Sequence, residues 1–210
     1  MTVRPAAERA LLDGPAGTIE TIVEAPGEPA RGIALLAHPH PLFGGTAENK
    51  VVQSLARVFI ELRYIAVRPN FRGVGESTGE HDHGIGETDD LIAVAAAMRE
   101  RFGGLPLVLG GYSFGGFVQT RVAKQLAPQR VVLVAPATGL VTGGRRYEAE
   151  PVPTDTIVIH GDGDDTVPLA NVLDWARPQE LPIVVVPGCD HFFHRKLHVI
   201  RGIVARAWTS

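Results

Sequence analysis

The sequence predicts a mostly parallel, doubly wound α/β sheet of about seven or eight strands. Short runs rich in Val, Ile and Leu, most of them ending at Gly or Pro, alternate with longer stretches of helical period. The runs are apolar at nearly every position, as strands covered on both faces are. Repetition of strand, helix and strand then implies right-handed crossovers in one sheet. The chain of 210 residues is long enough for one core and short for two, so a single domain over residues 1–210 is expected.

The elements follow in order. Ala10–Leu12 and Thr18–Glu24 flank Asp13-Gly14, a turn signal, and predict an antiparallel hairpin at one edge. Arg31–Ala37 is the next strand. Thr46–Leu62 carries Val51, Leu55, Val58, Phe59 and Leu62 at helical steps, and the strand Tyr64–Pro69 follows it. Thr88–Arg101 repeats the helical pattern with Leu91, Ile92, Ala95 and Met98, ahead of the strand Leu105–Gly110. A helix over Phe114–Leu126 and a strand over Arg130–Ala135 come next. The strand Thr156–His160, the helix Leu169–Ala176, the strand Leu181–Val186 and a helix over Phe192–Trp208 complete the set.

Composition narrows the function. Hydrophobic residues at 45% and charged residues at 20% are those of an ordinary globular protein. A net charge of −3 argues against nucleic acid or an anionic membrane as partner. No run of apolar residues is long enough to span a bilayer, and residues 1–17 lack the apolar stretch of a secretory signal, so a soluble, cytoplasmic protein is expected. The single cysteine, Cys189, leaves no internal disulfide and no Cys-built zinc site. Two glycine patterns fail as nucleotide motifs. Gly73-Val74-Gly75 has its third glycine one residue late, at Gly79, and after Gly139 and Gly144 the pair Arg145-Arg146 stands where a P-loop needs Lys and Ser or Thr.

In a parallel sheet, ligands bind beyond the carboxyl ends of the strands. After the strand ending at Gly110 comes Gly111-Tyr112-Ser113-Phe114-Gly115-Gly116 and then a helical pattern, which is G-x-S-x-G set between strand and helix. Glycines two residues either side let the chain reverse sharply and lift the Ser113 hydroxyl above the sheet edge. A serine needs a base, and the base an orienting acid. Two later strand ends supply them in that chain order: His160-Gly161-Asp162-Gly163-Asp164-Asp165 and Gly188-Cys189-Asp190-His191-Phe192. Within the first segment Asp162, Asp164 and Asp165 are all candidates, while His191 is the natural base.

These segments, with His38–Thr46 (HPHPLFGGT), Asn70–Gly79 (NFRGVGESTG) and His83–Asp90 (HGIGETDD), resemble the α/β-hydrolase fold, and within it the small lidless bacterial serine hydrolases with an HPHPLFGG loop. The resemblance covers nearly the whole chain. It implies a catalytic Ser113, Asp164 and His191, with Asp162 and Asp165 capping the turn or facing solvent. It further implies an oxyanion hole of the Phe114 and His40 backbone N–H groups, with Leu42 as the fallback donor because Pro39 and Pro41 have none. Arg72 and Glu76 are expected to pair.

About two dozen residues of loop-like composition, between Ala135 and Thr156, leave no room for a cap domain. Leu42, Phe43, Phe71 and Tyr112 are candidates for a substrate pocket, and Phe192 and Phe193 are either pocket or core. His191, His194 and His198 would share a helix face, yet with His81 and His83 they show no metal-binding signature, so neither metal nor cofactor is expected. The expected function is hydrolysis of a small carboxylic ester or thioester through an acyl-enzyme. A peptidase or amidase with the same triad, or a non-catalytic binding protein, is the alternative. Oligomeric state is not encoded in any pattern found.

Overall fold

The computed structural model describes residues 7–208. Residues 1–6, part of the segment read for a secretory signal, lie outside the described residues. β1 (Glu8–Gly14) and β2 (Gly17–Glu24) form the edge hairpin. Its turn is Pro15-Ala16, two residues beyond the one expected. Gly14 still pairs with Gly17, whose φ of 111° suits glycine, and Pro15 presets the φ of the turn.

Beyond the hairpin come β3 (Gly32–Ala37), α1 (Lys50–Glu61), β4 (Tyr64–Pro69) and α2 (Ile85–Arg101). β5 (Leu107–Tyr112), α3 (Phe114–Gln125), β6 (Arg130–Val134), β7 (Gly139–Leu140) and β8 (Arg146–Tyr147) follow. β9 (Ile157–Gly161), α4 (Leu169–Ala176), β10 (Ile183–Val186) and α5 (Leu197–Trp208) end the chain. Boundaries move where side chains cap them. α1 starts at Lys50, not Thr46, because Asn49 Oδ1 accepts the Val51 N–H at 2.9 Å. α2 starts at Ile85, not Thr88, because the Glu87 carboxylate accepts the Gly84 N–H at 2.8 Å.

Eight strands form one sheet in the order β1-β2-β4-β3-β5-β6-β9-β10. The pairs β1–β2 and β2–β4 are antiparallel and all others parallel. Two apolar layers cover it. On one face Val51, Leu55 and Phe59 of α1 pack with Ile200 and Val204 of α5. On the other lie Leu91, Val94 and Met98 of α2, Val118 and Val122 of α3, and Val172 of α4. Each such side chain contributes about 1.5–3 kcal/mol when fully buried. The fold is the α/β-hydrolase fold without a cap domain. Among the described residues no helix is long and apolar enough to cross a membrane.

Two expectations are corrected here. The last helix begins at Leu197 instead of Phe192, because Phe193 and Arg195 take positive φ, 52° and 59°, which no helix accommodates. The segment between Ala135 and Thr156 is not all loop: β7 and β8 pair as a small antiparallel hairpin beside α4.

Strand order decides where a ligand can sit. From β3 the chain passes to β4 on one side, then returns to place β5 on the other. The connections leaving β3 and β5 therefore part in opposite directions, and a crevice opens at their carboxyl ends. His38–Phe43 leave β3 there and Ser113 leaves β5 there.

Candidate active site

β5 runs on to Tyr112, two residues past its expected end, so that Ser113 is the first residue off the sheet. Ser113 has φ 54° and ψ −119°, a conformation costly for a residue with a Cβ and typical of functional turns. The glycines explain how the turn closes. A Cβ on Gly111 would lie 2.5 Å from the Gly115 carbonyl oxygen, and one on Gly115 would lie 2.4 Å from those of Ala37 and His38. Only glycine lets α3 begin this close to β3.

Ser113 Oγ is 3.0 Å from His191 Nε2, and His191 Nδ1 is 2.7 Å from Asp164 Oδ2. All three residues are buried. An ionised carboxylate only accepts, so Nδ1 carries the proton and Nε2 is left to accept from the serine hydroxyl. The other Asp164 oxygen, Oδ1, accepts the backbone N–H groups of Val167 at 2.7 Å and Thr166 at 3.0 Å. The loop after β9 is thus folded around this carboxylate. His160, whose Nε2–H donates to the Val167 carbonyl at 2.9 Å, is fully buried, and burial pushes its imidazole pKa down.

The neighbouring aspartates are placed elsewhere. Asp162 Oδ1 accepts the Cys189 N–H at 3.3 Å, and Asp165 lies at the surface. Asp190 accepts from the His194 backbone at 3.1 Å and holds the exposed His194 ring. That bond keeps the Asp190 carboxyl below the usual carboxylate range. His191 and His194 precede α5, so they share no helix face with His198. Cys189 is buried, and burial raises its thiol pKa.

The Phe114 N–H, at the start of α3, and the His40 N–H have no acceptor among the described residues. Leu42 differs: its N–H is directed to His40 Nδ1 at 3.3 Å, within the 3-10 turn Pro41–Phe43. His38 is the loop's internal brace. Its Nδ1–H donates to the Pro39 carbonyl at 2.6 Å and its Nε2 accepts the Phe71 N–H at 2.9 Å. The His40 ring lies 4.8 Å from that of Phe114 and 4.6 Å from that of His81. Burial, helped by the charges of His81 and Arg145, lowers the His40 pKa to about 4.

Of the four pocket candidates, Leu42 and Phe43 are exposed, at 69% and 68%. Phe71 and Tyr112 are corrected to core residues: each is 1% exposed, Phe71 against His38 and Phe114, Tyr112 beneath His191. Phe192 is exposed and Phe193 buried, which splits a pair the sequence left undivided. Arg72 does not pair with Glu76. It forms a two-pronged ion pair with Asp90 of α2, at 2.8 and 2.9 Å. Beside the site, a cleft of ≈ 420 Å³ is lined by Pro41, Leu42, Glu80, His81 and His83 among others. His81 Nδ1 there lies 2.8 Å from the buried Glu87 carboxylate.

Residues 31–152 match the family model described as serine aminopeptidase, S33. A lidless α/β serine hydrolase from Xanthomonas campestris is 38% identical, with a TM-score of 0.87 over 96% of this chain and 93% of that one. An α/β serine hydrolase homologue from Coxiella burnetii is 33% identical, with a TM-score of 0.83 over 98% and 99%. An uncharacterized protein of Rickettsia prowazekii is 29% identical over 88% of this chain and 82% of its own length.

Proposed function

The chain belongs to the α/β serine hydrolases whose family model is described as serine aminopeptidase, S33, and on that premise we propose that it hydrolyses a small carboxylic ester or thioester through Ser113, His191 and Asp164. The observation that carries the reading is the unbroken hydrogen-bond chain from Ser113 Oγ to Asp164 Oδ2, beside two N–H groups without acceptors among the described residues.

In this reading His191 Nε2 takes the hydroxyl proton as Ser113 Oγ attacks the acyl carbon. The carbonyl oxygen becomes an oxyanion facing the Phe114 and His40 N–H groups, and Asp164 stabilises the imidazolium. Collapse expels the alcohol or thiol, which leaves with the proton from His191. A water then enters, gives its proton to the same nitrogen and releases the acid, and Ser113 recovers its proton. The exposed Leu42 and Phe43, and the absence of a cap over the sheet edge, suit a modest, accessible acyl compound. The cytoplasm is the proposed setting, in keeping with a buried, unpaired Cys189.

The test is fluorophosphonate labelling read by intact mass. One adduct on the wild type and none on Ser113→Ala or His191→Ala is expected. No adduct on folded wild type would overturn the reading. The family description admits an amidase, so aminoacyl p-nitroanilides run beside p-nitrophenyl esters and acyl thioesters decide the bond cleaved.

A further inference from the structure

Arg145, singled out in sequence only because it spoils a P-loop pattern, stands at the mouth of the site. Its guanidinium lies 4.2 Å over the Phe43 ring, and that ring is 4.8 Å from the His40 ring. Arg72, which lines the same cleft as Pro41 and Leu42, is spent on Asp90, and Arg68 is spent on Glu24. Arg145 has no carboxylate partner among the described residues.

The side chain is nonetheless held. Nη2 donates to the Thr142 carbonyl at 3.1 Å and Nη1 to Tyr147 Oη at 3.4 Å. Tyr147 is fixed in turn against Phe117 and Phe114, with ring centroids 5.1 and 6.0 Å away. The hairpin of β7 and β8 thus carries a pre-positioned, half-buried cation to the rim, with N–H donors left over. Its charge is felt at the loop, since it is one of the groups that lower the His40 pKa. Next to it Leu42, Phe43 and Leu140 present exposed apolar surface.

We propose that Arg145 recognises a carboxylate on the substrate, so that the site prefers esters or thioesters carrying an anionic group, with an apolar stem on Leu42 and Phe43 and the carboxylate on the guanidinium. This rests on the reading of Ser113 as nucleophile. A guanidinium already stacked and tethered loses little freedom on binding, and its planar fork suits a carboxylate.

The experiment compares kcat/KM for matched pairs, with uncatalysed hydrolysis subtracted. One arm sets p-nitrophenyl hemiglutarate against p-nitrophenyl valerate and places the charge on the acyl group. The other sets 4-carboxyphenyl butyrate against 4-carbamoylphenyl butyrate and places it on the leaving group. In one arm the anionic partner is expected to be favoured about tenfold in the wild type, less at high salt. That ratio should fall to about one in Arg145→Met and to an intermediate value in Arg145→Lys. Ratios equal in wild type and Arg145→Met, in both arms, would overturn the inference while neutral-ester turnover and labelling stand. Failure of the wild type to label or to turn over any ester would overturn the reading of Ser113, and this inference with it.

Discussion

Tyr112 Oη donates to the backbone carbonyl of His191 at 3.0 Å, so the residue before the candidate nucleophile supports the backbone of the candidate base. The two rings also face each other, with centroids 5.2 Å apart. Tyr112 is buried at the end of β5, and burial raises its hydroxyl pKa well above the usual phenol range, so it remains a neutral donor. Tyr112→Phe leaves the His191 carbonyl without that donor, at a cost of about 1–3 kcal/mol. The expected outcome is a lower urea midpoint together with a reduced kcat and little change in KM. Unchanged kcat would show that the loop carrying His191 is held well enough by its other contacts.

Asp164→Asn tests the orientation of the imidazole. Two backbone N–H groups point at Oδ1. The asparagine oxygen therefore takes that side and its NH₂ faces His191 Nδ1. The imidazole must then carry its proton on Nε2, where it cannot accept from Ser113. A fall of about 10⁴-fold in kcat is expected, with the fold kept. Asp162→Asn and Asp165→Asn, measured with the same activated ester, should each cost under about tenfold. A large loss at either position would move the acid away from Asp164.

Glycine to alanine should have opposite signs at two helical positions. At Gly115 the added methyl meets the carbonyl oxygens of Ala37 and His38 at 2.4 Å, which are backbone and cannot swing aside. Overpacking of about 1–3 kcal/mol outweighs the helical gain of under about 1 kcal/mol, so Gly115→Ala destabilises. At Gly202 of α5 the added methyl meets only the far end of the flexible Arg206 side chain, 3.4 Å away among the described residues. Gly202→Ala should stabilise by about 0.4–1 kcal/mol. Urea denaturation of the two variants checks both signs.

What could be read from sequence was local. Ser113, Asp164 and His191 each follow a short apolar strand, so their common edge was legible from the alternation of elements. The orienting acid needed the resemblance, because Asp162, Asp164 and Asp165 differ only in which group the folded loop turns toward. Tyr112 read as a pocket residue, since its bond to His191 joins positions 79 apart in the chain. Sequence proximity points Arg72 to Glu76, whereas the sheet and α2 bring it Asp90 from 18 residues away. β7 and β8, at two residues each, are too short to show any period, so the segment that positions Arg145 read as loop.

His38 makes folding stability sensitive to mild acid. Its ring is fully buried, its Nδ1–H is given to Pro39 and its Nε2 lone pair is occupied by the Phe71 N–H. Adding a proton to Nε2 would set two N–H groups against each other, and burial already disfavours the cation. The folded-state pKa is accordingly about 4, against 6.5 for a free imidazole. Because the folded pKa is depressed, the unfolded chain binds more protons between those values. Stability is therefore full above about pH 6.5 and declines as pH falls toward 4, by about 3 kcal/mol for this residue. His40, lowered in the same way, adds to the slope. Carboxylates such as Glu20, held below the usual value of 4.5 by the Glu76 N–H and then by Asn70 and Arg9, act only at the acid end of this range. Urea midpoints at pH 7, 6, 5 and 4.5 should thus fall steadily in the wild type and less steeply in His38→Gln, whose amide can still accept from Phe71 without titrating. Equal slopes in the two proteins would mean that His38 does not stay neutral on folding, and the brace of the loop that presents the His40 N–H would then have to work through a charged ring.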